Sequence, residues 1–215
     1  MATAAQPGLR ERKKEQTRQA IADTALRLFG ERGFEAVPVA EVAREANVSE
    51  ATVFNYFPSK EDLVYHRMEA FEQELIGSIS GRAAGESALA AFGRFMLEPR
   101  GYLAAKEPDE RFLAIPRMIE ASPALLARER QIFERFTLAL AEQLATDTGV
   151  APEAIEPRVV AETLIGVHRA LVQYARRGML AGRKPQALSR DVRERGRRAV
   201  ALLESGLGDY AVRRD

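Results

Sequence analysis

The 215-residue chain contains no cysteine. Disulfides, thiolate zinc sites and cysteine nucleophiles are thereby excluded together, and the composition fits a reducing compartment. Aromatic residues supply only 7% of the chain, so the core must be built mainly from Ala, Leu, Val and Ile, with a composition rich in good helix formers. No apolar run approaches the roughly 18 residues of a membrane span. The polar start, Met1 to Gly8, lacks the apolar stretch of a signal peptide. A soluble, cytoplasmic protein with no membrane partner is expected. A dominant charge is also missing, with 32 basic residues against 31 acidic ones. Net charge therefore leaves nucleic-acid binding open, and local distribution decides it. Catalytic signatures are absent too: there is no Gly-rich phosphate loop, no Gly-x-Ser-x-Gly elbow and no His–carboxylate cluster. Asp62 and His66 stand one helical turn apart without an evident third metal ligand. No enzyme activity, cofactor or metal is expected.

What is present is helical periodicity nearly throughout. Ile21, Ala25, Leu28 and Phe29 mark one face of a first helix that Gly33 ends. A short second helix follows Pro38, with Val39, Val42 and Ala43 facing inward. Residues 45–49 then read as a tight turn, with Asn47 tolerant of the left-handed region and Ser49 placed as an N-cap. A third helix runs from about Glu50 to Tyr56 and stops before Pro58. Ser59 caps a long fourth helix, expected over 60–79. Gly77, Gly81 and Gly85 mark a hinge, and further helices are expected over 86–98, 109–121, 123–146, 156–177 and 187–206, punctuated by prolines. No alternating strand pattern of useful length occurs. The expected fold is all-α: a three-helix N-terminal domain with a helix-turn-helix, then a C-terminal helical bundle, about nine helices in all. The expected boundaries are a flexible basic arm over 1–14, a helix-turn-helix domain over 15–62 and a C-terminal helical body over 63–215. Arg10, Arg12, Lys13, Lys14 and Arg18 outnumber Glu11 and Glu15 in and beside the arm.

Two short helices joined by a tight turn are the requirement of a DNA-binding helix-turn-helix. Val42, Val48, Val53 and Phe57 form its inner face, while Ser49, Glu50, Thr52, Asn55 and Tyr56 face outward and Phe54 is divided between packing and groove contact. Hydroxyl, amide and phenol groups on one helix can reach phosphates and base edges, and Lys60 adds a cation beside a helix start. The run from Thr17 to Leu63 resembles the DNA-binding domain of the TetR family of bacterial regulators, most densely from Ala46 to Leu63. The resemblance implies a homodimer whose recognition helices read a palindromic operator in double-stranded DNA, with Thr17, Arg18, Ser49, Thr52, Asn55, Tyr56 and Lys60 in contact with it. The resemblance also assigns 15–62 to DNA binding and 63–215 to ligand binding and dimerisation. Two positions depart from the pattern, Pro38 where Thr is frequent and Ala40 where some members carry a long base-reading side chain; Asn47 in place of the usual turn Gly is a tolerable exchange.

The C-terminal body carries two apolar stripes. One comprises Leu188, Val192, Gly196, Ala199, Val200, Leu203 and Leu207, and the other Val160, Leu164, Val167, Leu171 and Ala175. Two such helices per subunit could form a four-helix dimer interface, or be buried within one subunit. Phe92, Phe95, Met96, Met118, Ile119, Phe133, Phe136 and Leu140 could be ordinary core or line an apolar cavity. Residues 118–125 look similar to family members with apolar or acyl-CoA-like effectors. Arg117, Glu120 and His168 are the polar groups placed to orient such a ligand, with packing at an interface as the other role for His168. The expected function is a repressor released from its operator by a small effector; the alternative is a DNA-bound scaffold whose C-terminal body recruits a protein.

Overall fold

The computed structural model describes residues 8–105, 111–151 and 153–213. Residues 1–7 of the expected basic arm, and 109 and 110 of one expected helix, lie outside the described residues. Among the described residues there are ten α-helices, one short 3-10 turn over Gly101–Ala104 and no strand. The all-α expectation is met. Two compact units are present, one comprising Met1–His66 with Met118–Leu125, the other Arg67–Arg117 with Leu126–Asp215.

The first unit holds α1 (Leu9–Arg32), α2 (Val39–Glu45), α3 (Glu50–Tyr56) and α4 (Lys60–Val64). Helix α1 already begins at Leu9, so Arg10, Arg12, Lys13 and Lys14 lie exposed on its first turns. Its buried face is Ile21, Ala22, Ala25, Leu28 and Phe29. Gly33 ends it at φ 90°, a region that side chains with a Cβ resist. Phe34 then turns back onto Phe29 in an edge-to-face contact at 5.2 Å. At α4, Ser59 and Asp62 cap each other reciprocally, satisfying two N–H groups that the helix start leaves open.

The expected long helix over 60–79 is instead two, α4 and α5 (Met68–Ser80), which raises the count from nine to ten. The cause is lateral satisfaction of the backbone. Arg18 Nη2 donates to the His66 carbonyl at 2.8 Å, at the break itself, and the Tyr65 side chain ties the end of α4 sideways by donating its hydroxyl to the Leu125 carbonyl at 3.0 Å. The chain can leave the helical path there without abandoning a polar group.

The second unit contains α5, α6 (Ala88–Met96) and α10 (Pro185–Leu207), together with α9 (Ile155–Leu180) and most of α7 (Arg111–Ala121) and α8 (Pro123–Thr148). Pro123 and Pro185 open their helices and Pro157 is third in α9, positions where no intrahelical N–H is needed. Pro116 does not punctuate; it lies inside α7. The two apolar stripes pack within the chain. Val160, Leu164, Leu171 and Leu188 are buried. A Cβ on Gly196 would stand 2.6 Å from Leu97 Cδ2 and 3.4 Å from Leu171 Cδ1, and Gly93 faces Val200. Part of each stripe is thus buried in the α6–α9–α10 core, while Val167, Ala175, Val192, Ala199, Val200, Leu203 and Leu207 are half-buried.

Candidate nucleic-acid interface

The turn between α2 and α3 is closed by backbone bonds, Ala46 N to Val42 O at 2.9 Å and Val48 N to Ala43 O at 2.9 Å. Asn47 occupies the left-handed region at φ 53°. Asn is among the few side chains that tolerate this. Ser49 then caps α3, its Oγ accepting from Thr52 N at 3.0 Å. Val42, Val53 and Phe57 are buried and Val48 is half-buried, so the helix pair is held from one side.

The other side of α3 is open. Glu50, Ala51, Phe54 and Asn55 are exposed, Phe54 at 44%. Thr52 and Tyr56 are half-buried, and the Thr52 hydroxyl lies 2.7 Å from the Ser49 hydroxyl. The freest reading surface is thus Ala51, Phe54 and Asn55, with an apolar ring next to an amide. Such a pair can touch a thymine methyl and an adenine edge.

The candidate cations are more engaged than sequence spacing suggests. Thr17 Oγ1 donates to the Lys13 carbonyl at 3.0 Å, within its own helix. Arg18 is half-buried and places its guanidinium 5.3 Å from the Phe57 ring centre while bonding His66. Lys60 Nζ sits 4.4 Å from the Phe34 ring centre and 5.6 Å from that of Phe29. Burial lowers the Lys60 ammonium from the usual lysine value, with Glu35 and Glu61 acting in the opposite direction. Missed by sequence reasoning is an ion-pair network joining α1 to α2: Arg32 and Arg44 with Glu41, and Arg27 with Glu31 and Glu45. Largely exposed, it adds little stability, but it places carboxylates beside Arg27, Arg32 and Arg44 that compete with phosphate for them. Equally hidden is the bond from the Ser122 hydroxyl to Glu35 Oε1 at 2.7 Å, across 87 positions.

In the second unit, four of the expected ligand residues come together. Phe95, Phe133, Phe136 and His168 are all buried, and Phe71 of α5 joins them at the centre. Phe71 stacks on His168 at 5.1 Å and on Phe136 at 5.9 Å, and is tilted against Phe95 at 5.5 Å. Phe133 meets both Phe136 and His168 edge-on. The His168 Nδ1 is buried without a hydrogen-bond partner among the described residues. Burial first, and the charge of Arg100 second, push the imidazole down to about 4. Phe92 is fully buried and Met96 half-buried. Met118 is buried and Glu120 exposed, like Arg117, but Met118 and Glu120 belong to the first unit.

A cavity of about 590 Å³ lies elsewhere in the second unit, and it is polar, not apolar. It is lined by Ser80, Arg82, Asp147 and Thr148 and by Asp209, Ala211, Val212 and Arg213 near the C-terminal end. Arg82, 3% exposed, pairs with Asp147 and donates to the carbonyls of Ile79, Glu86 and Ala211, pinning the C-terminal segment.

Residues 21–66 match the family model described as bacterial regulatory proteins, tetR family. The chain is 29% identical over 170 residues to the HTH-type transcriptional regulator TcmR of Streptomyces glaucescens, covering 77% of this chain and 75% of that protein. It is 30% identical over 126 residues to the nucleoid occlusion factor SlmA of Pasteurella multocida, covering 58% and 63%. In fold it is similar to the solved structure of Salmonella enterica GusR, with a TM-score of 0.54, 15% identity, and coverage of 90% of this chain and 96% of that one.

Proposed function

We propose that this chain is a DNA-binding transcriptional regulator of the TetR family, whose family model its residues 21–66 match, and that it acts as a homodimeric repressor of a palindromic operator, released by a small effector. The observation that carries the DNA half is the exposed face of α3 at Ala51, Phe54 and Asn55, set beyond a capped, positively twisted turn. A helix supported on one side and open on the other enters the major groove, and a second copy one helical turn away reads the other half-site. Thr17, Ser49, Glu50, Thr52, Tyr56 and Lys60 surround that face as phosphate or base contacts, while Arg18, engaged by the His66 carbonyl and the Phe57 ring, braces the domain behind it.

The dimer surface is the outward end of the α9–α10 pair, where Ile155, Val159 and Leu202 are exposed at 70%, 53% and 81%. Three large apolar side chains facing water at neighbouring helix ends are the surface a second copy would cover. The effector binds the second unit at the Phe–His cluster, and its binding favours a dimer that no longer spans both half-sites; the coupling is reciprocal.

Anisotropy titration on operator DNA selected from random sequence tests this. Asn55→Ala should flatten sequence preference, costing about 1–3 kcal/mol of discrimination at one base position. Lys60→Ala should weaken all sequences alike and lower the salt slope by about 0.9. Intact, sequence-selective binding by both variants would refute the assignment.

A further inference from the structure

The aromatic cluster of the second unit has a built-in polarity. Its centre is the half-buried Phe71, parallel to His168 within 18° and to Phe136 within 25°. Beside it stands Arg100, half-buried, with its guanidinium 4.1 Å from the Phe95 ring centre and 6.0 Å from that of Phe71. At its base is His168 with its orphaned Nδ1. We propose that this site, read as above as the effector site, takes a flat aromatic carboxylate, with Arg100 as counterion and His168 as the buried hydrogen-bond partner.

Three observations select that chemistry. Near-parallel rings favour a further planar ring over a flexible acyl chain, because offset stacking adds to simple burial. Arg100 Nη1 is held by the Phe95 and Glu98 carbonyls at 2.7 and 3.3 Å, so the guanidinium is fixed in place before any ligand arrives. Its carboxylate partner, Glu98 at 3.2 Å, is 65% exposed. An exposed ion pair is weak, and a ligand carboxylate shielded by rings displaces it while making a fork-like contact. His168 is uncharged at neutral pH because burial and Arg100 hold it at about 4. It supplies a hydrogen bond and no charge, leaving a single cation, which matches a monoanion. An aromatic cation is rejected by the same guanidinium.

The test is a fluorescence titration of the full chain with naphthalene-2-carboxylate and with naphthalene-2-carboxamide, which share shape and differ in charge. The carboxylate should bind about tenfold or more tightly than the amide, the value of a charge-assisted bond. Arg100→Gln should erase that difference. His168→Phe, which keeps the ring stack, should weaken both probes. Thermal melts verify that each variant is folded, and Arg100→Lys supplies a second variant that should retain part of the preference. Equal affinity for the two probes, a preference that survives Arg100→Gln, or no binding of either would overturn the proposal. Repeating the titration on the operator complex separates the two readings. Carboxylate binding without DNA release would sink effector release alone, whereas release by other compounds without carboxylate binding would sink this inference alone.

Discussion

Arg18 discriminates between a DNA contact and a structural lock. Its guanidinium donates to the His66 carbonyl at 2.8 Å and covers the Phe57 ring at 5.3 Å. A half-buried charged donor on a carbonyl contributes about 1.5 kcal/mol, and the cation–ring contact adds about 0.5 kcal/mol. Arg18→Met keeps much of the stem packing and removes both, so the first unit should lose about 2 kcal/mol, or roughly thirtyfold in its opening equilibrium. Hydrogen exchange read by mass spectrometry should show that acceleration in peptides covering α1, α4 and Phe57, with α9 unchanged. Operator affinity should fall little at temperatures where the variant is folded, and its salt slope should stay constant. A salt slope reduced by about 0.9, the signature of one lost phosphate contact, with exchange unaltered, would refute the structural role.

Other substitutions test separate links. Asn47→Gly should leave melting temperature unchanged or raised, whereas Asn47→Val should cost about 1–2 kcal/mol by forcing a branched side chain to φ 53°. His168 titrates near 6.5 when unfolded and near 4 when folded, so the unfolded chain binds the extra proton between those values. Stability measured by urea unfolding should therefore be full above pH 6.5 and decline by up to about 3 kcal/mol as pH falls towards 4, a slope that His168→Phe removes. Asp147→Ala strands the buried Arg82 guanidinium; a loss of about 3 kcal/mol is expected, with faster proteolytic cleavage of residues 208–213. Unchanged cleavage would show that Arg82 does not pin that segment.

Local signals were legible because their physics is local. Ser49 and Ser59 as caps, Gly33 as a stop, Asn47 as a left-handed turn residue and the apolar faces of α1 and α3 depend on neighbours within a turn or two of helix, and each lies where the spacing places it. The helix-turn-helix, and with it the resemblance over residues 21–66, could therefore be read without coordinates. Its exposed face could be read only in part, since Thr52 and Tyr56 share the outward side of α3 with Asn55 but are half-buried.

What only the tertiary structure decided involves partners far apart in the chain. No periodicity reveals that Arg18 would satisfy the His66 carbonyl, breaking one expected helix into two, or that Ser122 would reach Glu35. An amphipathic stripe states that a face must be buried, not against what, and here α6 takes part of it, with Leu97 against Gly196 and Gly93 against Val200. Likewise, only folding brings Phe71 against His168, Phe136 and Phe95. Secondary structure and the DNA-reading motif were thus determined by sequence alone, because short-range sterics and hydrogen bonding suffice for them. The identity of buried partners was left to the fold, because hydrophobic attraction has no direction of its own.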